Sequence, residues 1–322
     1  MPRVFSISIW DMPRPSRLFC SLSLCSLLDY SSVSSEKGRH EGPLMAGKSK
    51  KTFLERLWLH LFLGITSFVM VAPFLWVFLT SFKRSTEIVT ETPRLLPLVW
   101  TLDNYLKLPK VAPFVRFFLN SILVSGVSTF LIAFGSAACG YVFAKYRFRG
   151  KDFIFFLVIS TILIPLQTYI VPLYLLTWKL GWINTYQGLI FPLMIMSSGI
   201  FFLRQNIMSI PDELIDAARV DGASEWKVFL RIILPLSLSP IAAISIVNWV
   251  YTWSLFIWPL IVANSTEKFT MELGLMYFQR EYAVDYGGIM AACVITLLPV
   301  LVVFLMFRTR IIEGVAFTGM KH

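Results

Sequence analysis

Long uncharged, apolar stretches alternate along this chain with short clusters of charge. Reading from one charged residue to the next, the uncharged runs are 57–82, 117–144, 153–178, 180–203, 232–266 and 286–307. Each is longer than the ~20 residues a helix needs to cross about 30 Å of hydrocarbon. The pattern therefore predicts an all-α membrane protein with six transmembrane helices. Lys179 alone parts the third run from the fourth, and Gly181, Asn184 and Thr185 beside it predict a tight turn. An even number of spans puts both ends of the chain on one side.

Lys and Arg placement decides which side. From Lys48 onward, 15 basic residues fall on the side of the termini and nine on the other, six of those nine in the single longer loop from Lys83 to Arg116. Both termini are expected in the cytoplasm, in a multi-pass protein of the cytoplasmic membrane. Composition agrees, with 56% hydrophobic and only 15% charged residues, where a soluble domain carries about 25% charge. The net charge of +10 is then read as loops facing a lipid surface, with no nucleic acid as partner. Cys20, Cys25, Cys139 and Cys293 have no metal-ligand spacing, so neither a metal site nor a disulfide framework is expected.

Residues 1–44 differ in style, being polar and Ser-rich, and are expected to be a leader outside the working protein, with Met45 as the start. Arg14 and Arg17 before a short apolar patch resemble a signal n-region, but Leu24 is too large for cleavage ahead of Cys25. The division expected downstream is a cytoplasmic head at 45–56, the permeation domain at 57–310 with a cytoplasmic loop at 204–231, and a tail at 311–322. Residues 42–49 satisfy the phosphate-loop pattern letter for letter. That pattern works only between a buried strand and a helix of an α/β domain. Neither is predicted here, so no nucleotide or other cofactor is expected.

None of the six runs contains Asp, Glu, Lys or Arg, and His60 is the only histidine in one. A proton-coupled carrier needs a titratable group at depth, and a membrane hydrolase needs paired carboxylates or metal ligands. The chain is therefore expected to catalyse nothing. Energy for uphill transport must arrive from another polypeptide, or from sodium held by carbonyls and hydroxyls at broken helices.

The loop 204–231 is the most specific part of the sequence. Ser209, Pro211 and Asp212 read as a Ser-x-x-Asp cap opening a helix, with Asp212 and Glu213 at its positive end. Gly222 is predicted to end that helix, and Ser224 to cap a second one running towards Pro235. A helix, a glycine bend and a second helix result. The spacing Asp216-Ala217-Ala218, three residues, Gly222, nine residues, Ile232, one residue, Leu234-Pro235 resembles the E-A-A-x3-G-x9-I-x-L-P signature of ABC-importer permeases, with Asp for the first Glu.

From about Phe53 onward the chain is similar to carbohydrate-uptake permeases of the maltose-transporter type. The resemblance rests on Ile164-Pro165 through Pro172-Leu173-Tyr174, residues 180–189, residues 209–218, Trp258-Pro259-Leu260, Glu313-Gly314 and Gly319-Met320-Lys321. It implies a permease subunit of a binding-protein-dependent importer, with Asp216, Ala217, Ala218, Gly222, Ile232, Leu234 and Pro235 coupling to the ATPase. It also implies two nucleotide-binding subunits, a second homologous permease and an extracytoplasmic sugar-binding protein as partners. One departure is Trp253-Ser254-Leu255-Phe256, where relatives show Trp-Asn-Glu-Phe.

An uncharged sugar needs hydrogen-bonding groups and flat aromatic faces, because a polyol buried without partners is costly. The candidates along the spans are Asn120, Gln167, Asn248, Thr252 and Trp253, with Ser121, Ser125, Thr168 and Tyr251 close by. The competing readings are interhelical glue for the polar residues and interfacial anchoring for the aromatics. The alternative function is a sodium-coupled secondary carrier, in which the loop 204–231 is a passive linker.

Overall fold

A computed structural model describes residues 53–316, apart from Glu91, Pro93 and residues 282–284. The expected leader, most of the cytoplasmic head, the phosphate-loop pattern at 42–49, Cys20, Cys25 and the last six residues lie outside the described residues. Contacts divide the chain into residues 1–63 and 64–322, the boundary falling within the first helix.

Every regular element among the described residues is helical. In chain order the α-helices of four or more residues are α1 (Phe53–Ser81), α2 (Ser85–Ile88), α3 (Asp103–Val111), α4 (Phe114–Lys145), α5 (Lys151–Ser160), α6 (Leu166–Lys179) and α7 (Tyr186–Ile190). There follow α8 (Ser197–Met208), α9 (Asp212–Val220), α10 (Glu225–Val228), α11 (Leu238–Trp253), α12 (Ile257–Val262), α13 (Met271–Glu281) and α14 (Tyr286–Ala316). The stretches Leu57–Ser81, Phe114–Lys145 and Tyr286–Phe307 are long and apolar enough to cross a membrane unaided. Three bent pairs reach the same length if each is taken as one span.

Three of the six runs are broken, and each break has a local cause. Lys151–Leu163 and Leu166–Lys179 meet at 105°. Pro165 forces Ile164 into an extended conformation, with φ −94° and ψ 109°, and the helix cannot continue through it. Tyr186–Leu193 and Ser197–Met208 meet at 51°, where Pro192 sits in a 3-10 turn and Met196 is extended. Glu225–Leu236 and Leu238–Trp253 meet at 77°, after a π-helical stretch Phe229–Ile233. The run 232–266 is therefore not one continuous helix: α11 fills its middle, and α12 follows as a separate short helix.

Helix α4 is the centre of the packing. Its buried face is rich in small residues, Ser121, Ser125, Ser128, Ser136, Ala137 and Gly140 among them. Small side chains let backbones approach closely, which supplies the van der Waals contact that drives helix association where lipid removes the hydrophobic effect. Three clusters of buried side chains surround it. Phe114, Phe117, Trp253 and Phe278 form one, Leu203, Ile207, Ile215 and Phe229 a second, and Leu189, Trp258 and Leu273 a third. Outward-facing Phe68, Val69, Met70, Phe130, Leu305 and Met306 remain exposed, as lipid-facing positions do.

Candidate functional site

Two features gather the candidate residues: the bent loop after α8, and a cavity where the broken helices meet. The loop is shorter than charge placement predicts, because α8 continues through Arg204 to Met208. Arg204 belongs to the bundle, its Nε donating to the Phe143 carbonyl at 3.1 Å and its guanidinium lying 4.1 Å from the centre of the Phe155 ring.

The predicted cap is not formed at Ser209. Its Oγ donates to the Asn206 carbonyl at 2.6 Å, so Ser209 closes α8 rather than opening α9. Pro211 stands at the N-cap of α9, and no side chain caps it. Lys145 supplies the fixing contact instead, donating to Asp212 Oδ1 at 2.6 Å and to the Ile210 carbonyl. That ammonium beside Asp212 holds its carboxyl below the usual carboxylate range. Ser224 occupies the N-cap position of α10, also without a side-chain cap bond.

The glycine bend is where the spacing puts it. Gly222 has φ +77°, a left-handed conformation that is cheap only without a Cβ. Its N–H donates to the Arg219 carbonyl at 3.0 Å, and the N–H of Ala223 to the Ala218 carbonyl at 2.9 Å. This Schellman closure satisfies the last carbonyls of α9 and turns the chain sharply. Ile215, 2% exposed, anchors the helix inward, while Ala218, Ile232 and Leu234 pack against the same cluster. Asp216, Ala217, Gly222 and Pro235 face outward. So do Leu214, Trp226 and Val220, the last 87% exposed. Val220 was not legible as an outward apolar residue, because its helical register alone does not say where the bundle ends.

Acidic and basic groups knit the loop together. Arg219 donates from Nε to Glu225 Oε1 at 2.9 Å and from Nη1 to Asp216 Oδ1 at 3.2 Å. The Glu225 carboxylate raises the guanidinium further above its already high ordinary value.

The cavity measures about 560 Å³. Its polar lining is Thr161, Tyr169, Ser197, Ser198, Asn248 and Tyr251, and none of its lining residues carries a charge. The breaks at Pro165 and Pro192 open it, with Thr161 and Ser197 sharing a hydroxyl hydrogen bond of 2.6 Å across them. Asn248 on α11 is fully buried, and neither its amide nitrogen nor its carbonyl oxygen has a partner. A buried amide with both ends open is a costly arrangement.

The other candidates from the sequence lie elsewhere. Asn120 donates from Nδ2 to the carbonyls of Glu267 and Phe269, both at 2.9 Å, and its Oδ1 accepts from the Tyr186 hydroxyl at 2.8 Å. It holds α4 to the chain beyond α12. Trp253 is 1% exposed and donates to the Thr296 carbonyl at 3.1 Å. Thr252 donates to the Asn248 carbonyl at 2.8 Å. Gln167 is exposed beside the cavity but does not line it. Of Asn120, Gln167, Asn248, Thr252 and Trp253, Asn248 alone is among the residues lining the cavity.

The family model described as the inner membrane component of binding-protein-dependent transport systems matches residues 136–316, a stretch that contains both the loop and most of the cavity wall. The chain belongs to this family. An arabinooligosaccharide transport permease of Halalkalibacterium halodurans is 35% identical over 258 residues, covering 79% of this chain and 92% of that protein. A Bacillus subtilis protein of the same name is 34% identical over 269 residues, covering 83% and 96%. A diacetylchitobiose uptake permease of Streptomyces coelicolor is 32% identical over 261 residues, covering 80% and 86%. In fold, the chain superposes with TM-score 0.72 on a bacterial ABC transporter that imports the acidic polysaccharide alginate, at 18% identity, covering 83% of this chain and 99% of that one. Family membership gives the sodium-coupled carrier no support.

Proposed function

We propose that this chain is a permease subunit of a binding-protein-dependent ABC importer that carries a carbohydrate across the cytoplasmic membrane. The sugar-transport names of the family relatives support the substrate class. The observation that carries the reading is the outward face of the glycine-bent loop, with Asp216, Ala217 and Gly222 exposed beside Leu214, Val220 and Trp226. Apolar side chains left in water at a cytoplasmic loop suit a protein partner. That partner is an ATPase subunit, with a second permease completing the pore and an extracytoplasmic binding protein delivering substrate. Each broken pair is then one span, giving six in all with both termini cytoplasmic. Catalysis lies entirely on the partners.

The geometry suits alternating access. ATP binding draws the two docked loops together, and rigid-body movement of the bundles opens the pore to one side and then the other. The cavity walls offer hydroxyls and phenols, a neutral polar lining that fits sugar hydroxyls, with the buried, unpartnered Asn248 amide beneath it. Tyr169 and Tyr251 supply the flat faces, while Asn120, Thr252 and Trp253 keep the surrounding helices in place.

The test is reconstitution into liposomes with the second permease, the ATPase subunits and the binding protein. Gly222→Val is expected to abolish binding-protein-stimulated ATP hydrolysis and uptake together, with the subunit still in the membrane. Uptake by this chain with no other polypeptide present rejects the proposal.

A further inference from the structure

One carboxylate ties together three segments that the loop's own sequence leaves separate. Glu225 opens α10, immediately beyond the Gly222 bend. Its Oε1 accepts from Arg219 Nε at 2.9 Å, and its Oε2 from Arg219 Nη2 at 3.3 Å. Arg219 belongs to α9, on the other side of the bend. Oε2 also accepts from the Tyr141 hydroxyl at 3.1 Å, and from that of Tyr146. These two phenols stand at the end of α4 and directly after it.

From this we infer that Glu225 is a positioning residue which braces the Gly222 bend and fastens the bent loop to the cytoplasmic end of α4. The inference rests on the coupling role proposed above. Nothing lies within 4 Å of where a Cβ on Gly222 would stand, so no side chain packs against the outer side of the bend. The fork between Arg219 and Glu225 spans it and braces it beside the Schellman bonds and the Ile215 anchor. A bidentate arginine–carboxylate pair has a fixed planar geometry, which a lysine pair lacks.

The phenols then pass the position of the loop inward. Tyr141 is 4% exposed and lies flat against Phe229, with ring centres 5.9 Å apart. Helix α4 in turn contributes Ile132 to the wall of the large cavity. A displacement of the docked α9 therefore reaches α4, and through it the cavity, along Arg219, Glu225 and Tyr141. A second tie, Lys145 to Asp212, holds the start of α9 to the same end of α4. With Glu225 removed, α9 keeps its docking face, its first anchor and the backbone bonds of the bend, but loses the side-chain tie that makes it move with α4. Exposed ion pairs add little to folding, so the main consequence falls on coupling.

The experiment uses the complete transporter in proteoliposomes and reads substrate delivered per ATP hydrolysed. Wild type must first show ATP-driven uptake; failure there rejects the proposed function, and this inference with it. Glu225→Leu, of similar bulk and without acceptors, is expected to keep stimulated hydrolysis near the wild-type rate. Its delivery per ATP is expected to fall by about tenfold, within the range of a coupling free energy between two sites. Glu225→Gln, which keeps one acceptor oxygen, should recover most of that loss. Tyr146→Phe removes a single hydroxyl from a half-buried ring and should lower the ratio in the same direction. Combined with Glu225→Leu, it should add nothing. An unchanged ratio in Glu225→Leu, a parallel fall of hydrolysis and uptake, or additive effects of the two substitutions overturns the assignment.

Discussion

The indole N–H of Trp258 donates to the carbonyl of Gly188 at 2.9 Å. The bond joins two motifs 70 residues apart, the Trp-Pro-Leu of α12 and the stretch that turns the chain from α6 into α7. Trp258 is fully buried. A Cβ on Gly188 would stand 2.1 Å from the Trp182 carbonyl oxygen, so the close approach requires glycine. Asn184, at φ +58°, completes the junction: its Oδ1 accepts from the N–H groups of Asn264 and Ser265 at 3.0 and 3.1 Å.

Trp258→Phe keeps most of the ring but leaves the Gly188 carbonyl without its donor, which costs about 1–3 kcal/mol. Gly188→Ala forces backbone to move and is expected to be the worse of the two. Thermal inactivation of the detergent-solubilised transporter measures both. Equal stability of Gly188→Ala and wild type would show that the junction yields.

Asn248 separates folding from function. Replacing the unpartnered amide by leucine removes a buried polar group that nothing in the chain satisfies, and should stabilise the subunit by about 1 kcal/mol. Uptake should fall sharply in the same variant, because the amide beneath the cavity wall is then missing when the bundle moves to admit substrate. If Asn248→Leu transports normally, the open amide has no role in the substrate path.

At Gly222 the demand is on the backbone alone. Asparagine visits the left-handed region readily, whereas valine pays more than the roughly 1–2 kcal/mol typical of L-residues there. Gly222→Asn should therefore retain most uptake, in contrast to Gly222→Val. A steric rather than conformational requirement would instead make Asn as damaging as Val, and transport assays of the two variants side by side decide it.

Acidification tests the tether at the start of α9. The carboxyl of Asp212 is held low by Lys145. The tether is thus fully present above the ordinary aspartate value of about 3.9, and is lost only as pH falls through the lower folded value. Amide hydrogen exchange in the loop should show unchanged protection relative to intrinsic rates from pH 8 down to about 5. In Asp212→Asn protection should be weaker throughout that range. High salt should narrow the difference, since the Asp212 side chain is 72% exposed. Protection lost already near pH 6 would mean that another group holds the loop.

Much of the fold was legible because its signals are local. Each apolar run became helix, and Pro165 and Pro192 mark two of the three sharp bends, although charge alone did not reveal that those runs would break. Gly222 was legible for a similar reason: a left-handed residue at a helix end is selected by its own backbone. Ser209 misled because two helix ends compete for one hydroxyl, and the preceding helix took it.

The sequence by itself determined that this chain is a helical membrane protein of the transport family with a glycine-bent loop, because hydrocarbon thickness, the hydrophobic run and the φ of one residue are properties of neighbouring positions. Only the tertiary structure decided that Asn120 binds α4 to the chain beyond α12 while Asn248 faces a cavity, and that Tyr141 meets Glu225 from 84 residues away. Two buried asparagines are chemically alike. Which one finds partners depends on how helices distant in sequence happen to pack.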